Sequence, residues 1–261
     1  MTRFIAVVYG FVAYALFLAS FLYAVGFVGN LMAPKTIDSP ETNSPITSLL
    51  INLLLLGLFA VQHSGMARQG FKRVLTGVIH RSVERSTYVL CASLTLLLLF
   101  WQWRPINDPV WSVTEPAFAA AIWGIFWGGW GLLVLSTFLI SHFELFGLKQ
   151  VFANLRGREL SKGVFRTPLL YKLVRHPIYL GFLLAFWATP VMTIGHLLFS
   201  VATTGYILIG IQLEERDLIQ VFGDRYRRYR EQVPMLIPLW STRRPKDPEW
   251  SDPERDPAAM R

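Results

Sequence analysis

The chain has 261 residues, 53% of them hydrophobic and 14% aromatic. Its mean hydropathy of +0.40 is too high for an ordinary water-soluble domain of that length. The formal charge of +8 is confined to short segments between apolar blocks and comes with no base-reading motif, so a nucleic-acid partner is not expected. One cysteine, Cys91, sits in an apolar run; this excludes an intramolecular disulfide, and no metal site is expected.

The first apolar block, Phe4 to Met32, is too long for a signal-peptide core and lacks a small-x-small cleavage site, so it reads as a retained span. Ile46 to Val61, Val83 to Trp103 and Ala117 to Ile140 read as three more, each of a length suited to about 30 Å of hydrocarbon. The last block, Ile178 to Leu213, is interrupted by Pro190 and Gly195-His196. It fits two short crossings, or a helical hairpin turning in or near the membrane. The expected fold is an all-α integral membrane protein of about five transmembrane helical elements, the last a broken helix or hairpin. Trp101, Trp103, Trp111, Trp123, Trp127 and Trp130 cluster around the third-to-fourth connection and mark a bilayer surface. From Glu214 to Gln232 the apolar residues recur at helical spacing among arginines, which predicts a surface amphipathic helix. Residues 1–240 read as a single membrane-embedded domain, and 241–261, Pro-rich and charge-balanced, as a flexible polar tail.

The basic residues orient this bundle. Lys35 and Arg104 alone fall in the connections after the first and third spans, whereas residues 62–85 carry a net +4 and 142–175 a net +5. By the positive-inside rule the latter segments and the N-terminus face the cytoplasm. Four polar stretches then reach the same membrane face: Gln62-His63-Ser64, His142-Phe143-Glu144, Tyr171 to Gly181, and Glu214 to Tyr229. Polar groups at membrane ends cost free energy unless they are paired or used, so this convergence marks a candidate active site. Pro177 suits the first position of a helix. Arg175 and His176 would then lie at its N-terminus, where an anionic group is favoured, with Glu214 and Glu215 opposite. His142 with Glu144 reads equally as an interfacial hydrogen-bonded pair; His196 reads as structural and His80 as solvated.

These residues carry a resemblance. Arg175-His176-Pro177-Ile178-Tyr179-Leu180-Gly181, Glu214-Glu215, Phe222-Gly223, Tyr226, Tyr229, Val233-Pro234 and Pro238 resemble the C-terminal signature of isoprenylcysteine carboxyl methyltransferases and related phospholipid methyltransferases. The resemblance implies an S-adenosylmethionine site within about residues 142–240. Tyr171, Arg175, His176, Pro177, Tyr179, Leu180, Gly181, Glu214 and Glu215 would form it, and Gln150 and Phe165 are matched across a loop of different length. The arginine that the prenylcysteine enzymes carry before the paired acids corresponds to Gly210 here, which argues against a carboxylate-bearing substrate. Gln62-His63-Ser64, Glu84-Arg85-Ser86-Thr87-Tyr88 and His142 to Gly147 are similar to bacterial membrane methanethiol S-methyltransferases of the NnrU-type group. That resemblance implies methyl transfer from S-adenosylmethionine to a small volatile thiol, at the cytoplasmic face of a bacterial membrane. Its alternatives are another thiol or a lipid amine as acceptor, or a haem-dependent isomerase with His63 as an iron ligand.

In-line displacement at a sulfonium requires the thiolate, and a simple thiol is largely protonated near neutral pH. His142, oriented by Glu144, is the expected base and His63 the second candidate. The sequence leaves the oligomeric state open.

Overall fold

The computed structural model describes residues 2–158 and 165–238; the expected tail, 241–261, lies outside the described residues. Five helices are long and apolar enough to cross a membrane: α1 (Arg3–Val28), α2 (Pro45–Ala67), α4 (Arg81–Gln102), α5 (Pro116–Ile140) and α9 (Ile194–Phe222). Shorter elements are α3 (Gln69–Val78), α6 (His142–Leu145), α7 (Leu148–Leu155), α8 (Pro177–Trp187) and α10 (Asp224–Gln232), with a 3-10 turn over Leu169–Lys172. α1 and α4 leave one end of the bundle and α2, α5 and α9 return to it, α8 and the chain after it making the outward pass before α9. The basic connections therefore gather at that end, the basic end.

The caps follow from local chemistry. Pro45 opens α2 behind Ser44, whose side chain accepts from Thr47 N, and Pro116 opens α5 behind Glu115, whose carboxylate accepts from Ala117 and Phe118 N. His80, expected to be solvated, caps α4 by accepting from Ser82 N. Sequence reasoning missed α3: its apolar residues Phe71, Val74 and Val78 are exposed beside Lys72 and Arg73, as in a helix lying along a membrane surface.

The final hairpin resolves the ambiguity of the interrupted block. The eleven residues of α8 rise only about 16 Å, half the hydrocarbon thickness. The remaining distance is covered by extended chain ending in β2 (Val191–Thr193), which pairs antiparallel with β1 (Pro109–Ser112) from the α4–α5 connection. Extended backbone at this depth must find partners. Val113 N donates to Pro190 O, Trp111 Nε1 to Thr189 O, and the Thr189 hydroxyl to Val191 O. The carbonyl of Phe186, freed as α8 ends, accepts from His196 Nε2 at 2.9 Å and Ser200 Oγ at 2.7 Å. His196 is structural, as expected.

Beside this hairpin α5 and α8 meet backbone to backbone. A Cβ on Gly129 would stand 2.7 Å from Ala185 N, and one on Gly181 2.7 Å from Gly129 O. Small residues permit such approach between membrane helices. The main core is aromatic and aliphatic, with Phe27, Phe100, Trp103, Phe126, Trp130 and Phe199 at its centre. Trp103 and Trp130 therefore depart from the expected interfacial role, while Trp101 and Trp127 remain exposed.

The helix expected over Glu214–Gln232 is two pieces. α9 runs on to Phe222 as one straight element, and Gly223, at φ +57°, turns the chain into α10. Its apolar residues do not face outward as a free stripe: Tyr226, Tyr229 and Val233 pack with Phe165, Leu218 and Phe222.

Candidate active site

Three separate arrangements emerge from the residues singled out in the sequence. In the first, Arg175, His176 and Glu215 satisfy one another. Glu215 Oε1 accepts from Arg175 Nε at 2.8 Å and stands 3.0 Å from His176 Nε2. Arg175 Nη1 donates to the carbonyls of Arg230 and Val233. Backbone N–H groups of Arg175 and His176 donate to Pro234 and Met235 O. This buried cluster ties the start of α8 to the end of α9 and to the Val233-Pro234 segment. Arg175 and Glu215, expected to meet ligand charges, are thus spent on each other. Pro177 is the buried first residue of α8, and Gly181 is the helix-crossing residue described above. Leu180 packs against Ile207, Ile211 and Leu236.

Phe165 and Tyr171 belong to the packing around α10. Phe165 lies against Phe222, Tyr226 and Tyr229, with Arg225 over its ring. The Tyr171 hydroxyl donates to Ser136 O at the end of α5, and its carbonyl accepts from the Tyr229 hydroxyl at 2.6 Å. Burial pushes both phenols above their ordinary pKa, so both stay neutral donors.

The second arrangement surrounds His142. Its ring stacks on Phe138 at 4.2 Å and is enclosed by Tyr14, Phe17 and Phe146. Both nitrogens are engaged: Nδ1 lies 2.8 Å from Thr137 Oγ1 and Nε2 2.8 Å from the Tyr14 hydroxyl. Thr137 gives its one proton to Val134 O, so it accepts from Nδ1–H, and Nε2 receives the Tyr14 O–H. Burial moves the imidazole below its ordinary pKa. The expected orienter, Glu144, does not touch His142 but pairs with Lys149 at 2.6 Å. Gln150 donates to the Glu144 carbonyl, and its own Oε1 is buried without a partner among the described residues.

The third arrangement is a crevice between α9 and the pair α2 and α4. Tyr206, Gly210 and Glu214 recur every four residues along α9 and so share one face. Tyr206 bonds Ser64 on α2 at 3.1 Å, while Glu214 accepts from the Tyr179 hydroxyl at 2.9 Å. Between them Gly210 is partly buried, yet a Cβ there would meet nothing within 4 Å. His63 faces the same space. Its Nε2 is 2.7 Å from the Tyr88 hydroxyl, its ring stacks on Phe59 at 5.1 Å, and Tyr206 stands 6.4 Å away. Its Nδ1 is buried with no partner among the described residues. Arg68 closes the rim by pairing with Asp217.

Of the residues expected at the site, His63, Tyr179 and Glu214 meet here. Tyr206 was missed, as were Tyr14 and Thr137 around His142. The spacing of four between Tyr206, Gly210 and Glu214 was the available signal for the first; for the other two the sequence held none. Among the described residues, a carboxylate outside any ion pair and an imidazole nitrogen without a partner gather with three tyrosines at one end of membrane-spanning helices, groups that suit a small ligand in a membrane-embedded enzyme.

Comparison with known proteins specifies the class. Over 236 residues the chain is 58% identical to Methanethiol S-methyltransferase 1 of Bradyrhizobium diazoefficiens, covering 90% of this chain and 83% of the relative. It is 53% identical over 238 residues to Methanethiol S-methyltransferase of Mycobacterium tuberculosis, covering 91% and 98%. With Methanethiol S-methyltransferase 2 of B. diazoefficiens it shares 55% over 245 residues, 94% of each chain. No family model and no solved structure matches it. The chain belongs to the methanethiol S-methyltransferase family.

Proposed function

We propose that the protein methylates methanethiol with S-adenosylmethionine, giving dimethyl sulfide and S-adenosylhomocysteine, in the crevice lined by His63, Tyr88, Tyr179, Tyr206 and Glu214. The observation that carries this reading is the face of α9. It sets Tyr206 beside His63 and Ser64, Glu214 beside Tyr179, and an open slot at Gly210 between them.

The residues present suit a cationic cofactor. Among the described residues Glu214 offers a carboxylate outside any ion pair, and Tyr179 holds it. Buried acceptors at Gln150 Oε1 and Glu84 Oε1, with the Ser86 hydroxyl, lack partners among the described residues at the basic end. Such atoms call for a ligand's polar groups. The C-terminal part from His142 onward holds the cofactor within one membrane-embedded unit. His176 acts through Glu215, fixing the start of α8 and with it Tyr179.

S-adenosylmethionine supplies a methyl group on a sulfonium, open to attack from the side opposite the leaving sulfur. His63 Nδ1 takes the thiol proton as the new carbon–sulfur bond forms and the old one breaks; that proton later leaves to water. His142 is a poorer base, because its one lone pair already accepts from Tyr14. Phe59 and Tyr206 keep the thiol pocket small and apolar, and Gly210 leaves room for sulfur to approach the methyl carbon. Position 210 itself carries glycine, not an arginine that could pair with a substrate carboxylate. The basic end faces the cytoplasm, where the cofactor is made.

The test is headspace analysis of purified protein with methanethiol and methyl-labelled S-adenosylmethionine. Labelled dimethyl sulfide is expected, with His63→Gln slowed roughly a hundredfold or more, the scale of general-base catalysis. Label in lipid with none in dimethyl sulfide would overturn the substrate.

A further inference from the structure

Three polar motifs from different helices, Gln62-His63-Ser64, Glu84 to Tyr88 and His142 to Gly147, are joined in space by one chain of contacts. The carbonyl of Leu145 accepts from Arg85 Nε at 2.7 Å. The Arg85 guanidinium lies 5.1 Å from the centre of the Tyr88 ring. The Tyr88 hydroxyl is 2.7 Å from His63 Nε2. Tyr88 is 9% exposed, and the opposite side of the imidazole is backed by Phe59. The ring of His63 is therefore held, and its second nitrogen is buried without a partner among the described residues.

We infer that Tyr88 is the positioning residue for the thiol-activating imidazole. It accepts Nε2–H of His63, so that Nδ1 is the nitrogen presented to the sulfur, and Arg85 anchors the phenol to the α6 turn. The inference rests on the assignment of His63 as the base. A hydroxyl can accept from Nε2–H in the neutral ring and bonds that hydrogen more strongly once the ring is an imidazolium. It thus plays the part of the orienting third group in nucleophile–base–orienter sites. Arg85 on α4, Arg68 on α2, and Tyr206 and Glu214 on α9 are the charged and titratable groups around this phenol.

The experiment compares wild type, Tyr88→Phe and His63→Gln in detergent at saturating S-adenosylmethionine, from pH 4 to pH 9. Tyr88→Phe keeps the ring and removes only the acceptor. It should lower kcat roughly ten- to a hundredfold with a smaller change in KM, less than the hundredfold or more expected from losing the base itself. It should also move the acidic limb of the kcat/KM profile to lower pH, because the imidazolium loses its acceptor. A purely structural role would not move that limb. A slow His63→Gln with an unchanged rate and limb in Tyr88→Phe overturns the positioning role and leaves the base intact. Wild-type behaviour of His63→Gln overturns both. If Tyr88→Phe does not purify intact, nitrogen chemical shifts of the histidines, assigned with His63→Gln, decide the matter. A proton on Nε2 of His63 supports the inference, and one on Nδ1 overturns it.

Discussion

The adjacent acids Glu214 and Glu215 show how much one residue of helical phase decides. A step of one turns a side chain by about 100° on α9. Glu215 faces α8 and is consumed by Arg175 and His176, whereas Glu214 faces the crevice and bonds Tyr179. The two histidines differ in the same way: His63 has one nitrogen without a partner among the described residues, and His142 is caged with both engaged. Because burial lowers the His142 pKa, the unfolded chain binds its proton at higher pH than the folded one. Its contribution to stability is full above the unfolded value near 6.5, and is lost as pH falls toward the folded value. The melting temperature in detergent should therefore drop on acidification below about pH 6.5, and His142→Gln should flatten that part of the curve. An equal slope in both proteins would remove His142 as the cause. From sequence, His142 had the better claim as base because an acid lies two residues away. Nearness along a four-residue helix did not place Glu144 against it.

Among the elements, α8 departs furthest from sequence expectation. Pro190 and Gly195-His196 announced a break, but not that an extended strand would complete the crossing with β1 as its partner. A strand of three residues has no usable periodicity, and its partner lies some eighty positions earlier. The contact of α5 and α8 through Gly129 and Gly181 was equally hidden, since each helix is apolar all round. Gly181→Ala drives a methyl toward Gly129 O and Leu133 N, so it should destabilise the bundle by about 1–3 kcal/mol, the usual cost of overpacking. The check is the thermal midpoint in detergent; an unchanged value would show that the helices separate freely. The two-part ending of α9 and α10 follows from Gly223 at positive φ. The sequence showed that glycine only as part of a motif.

For the whole molecule the bilayer is the organising solvent. Five apolar helices satisfy their own backbone groups, and the loops at the end opposite the basic one are locked by polar contacts. Buried Asn52 there bonds both the N–H and the carbonyl of Arg104, and Trp103 donates to Ile37 O. The basic end carries α3, α6, α7 and α10 around the crevice. Its orientation is testable because Cys91 is the one cysteine. In a Cys91→Ser background, Asn43→Cys should react with a membrane-impermeant maleimide in intact cells. Arg73→Cys should react only after lysis. The reverse pattern would place the basic end and the crevice outside the cell and overturn the orientation.

Composition and charge placement determined the spans, their alternation and the gathering of polar segments at one end, because lipid imposes length and hydropathy directly on sequence. The C-terminal motif likewise pointed to the methyl donor, which the family shares. Tertiary structure alone decided which polar residues remain open. Arg175, Glu215 and Tyr171, expected from the motif, and His142 are hydrogen-bonded to neighbours that for the most part lie far away in sequence. Tyr88 and Tyr206 became candidates because helix packing sets them against His63. Hydrogen-bond satisfaction depends on distance and angle between helices, and neither is written in any one segment.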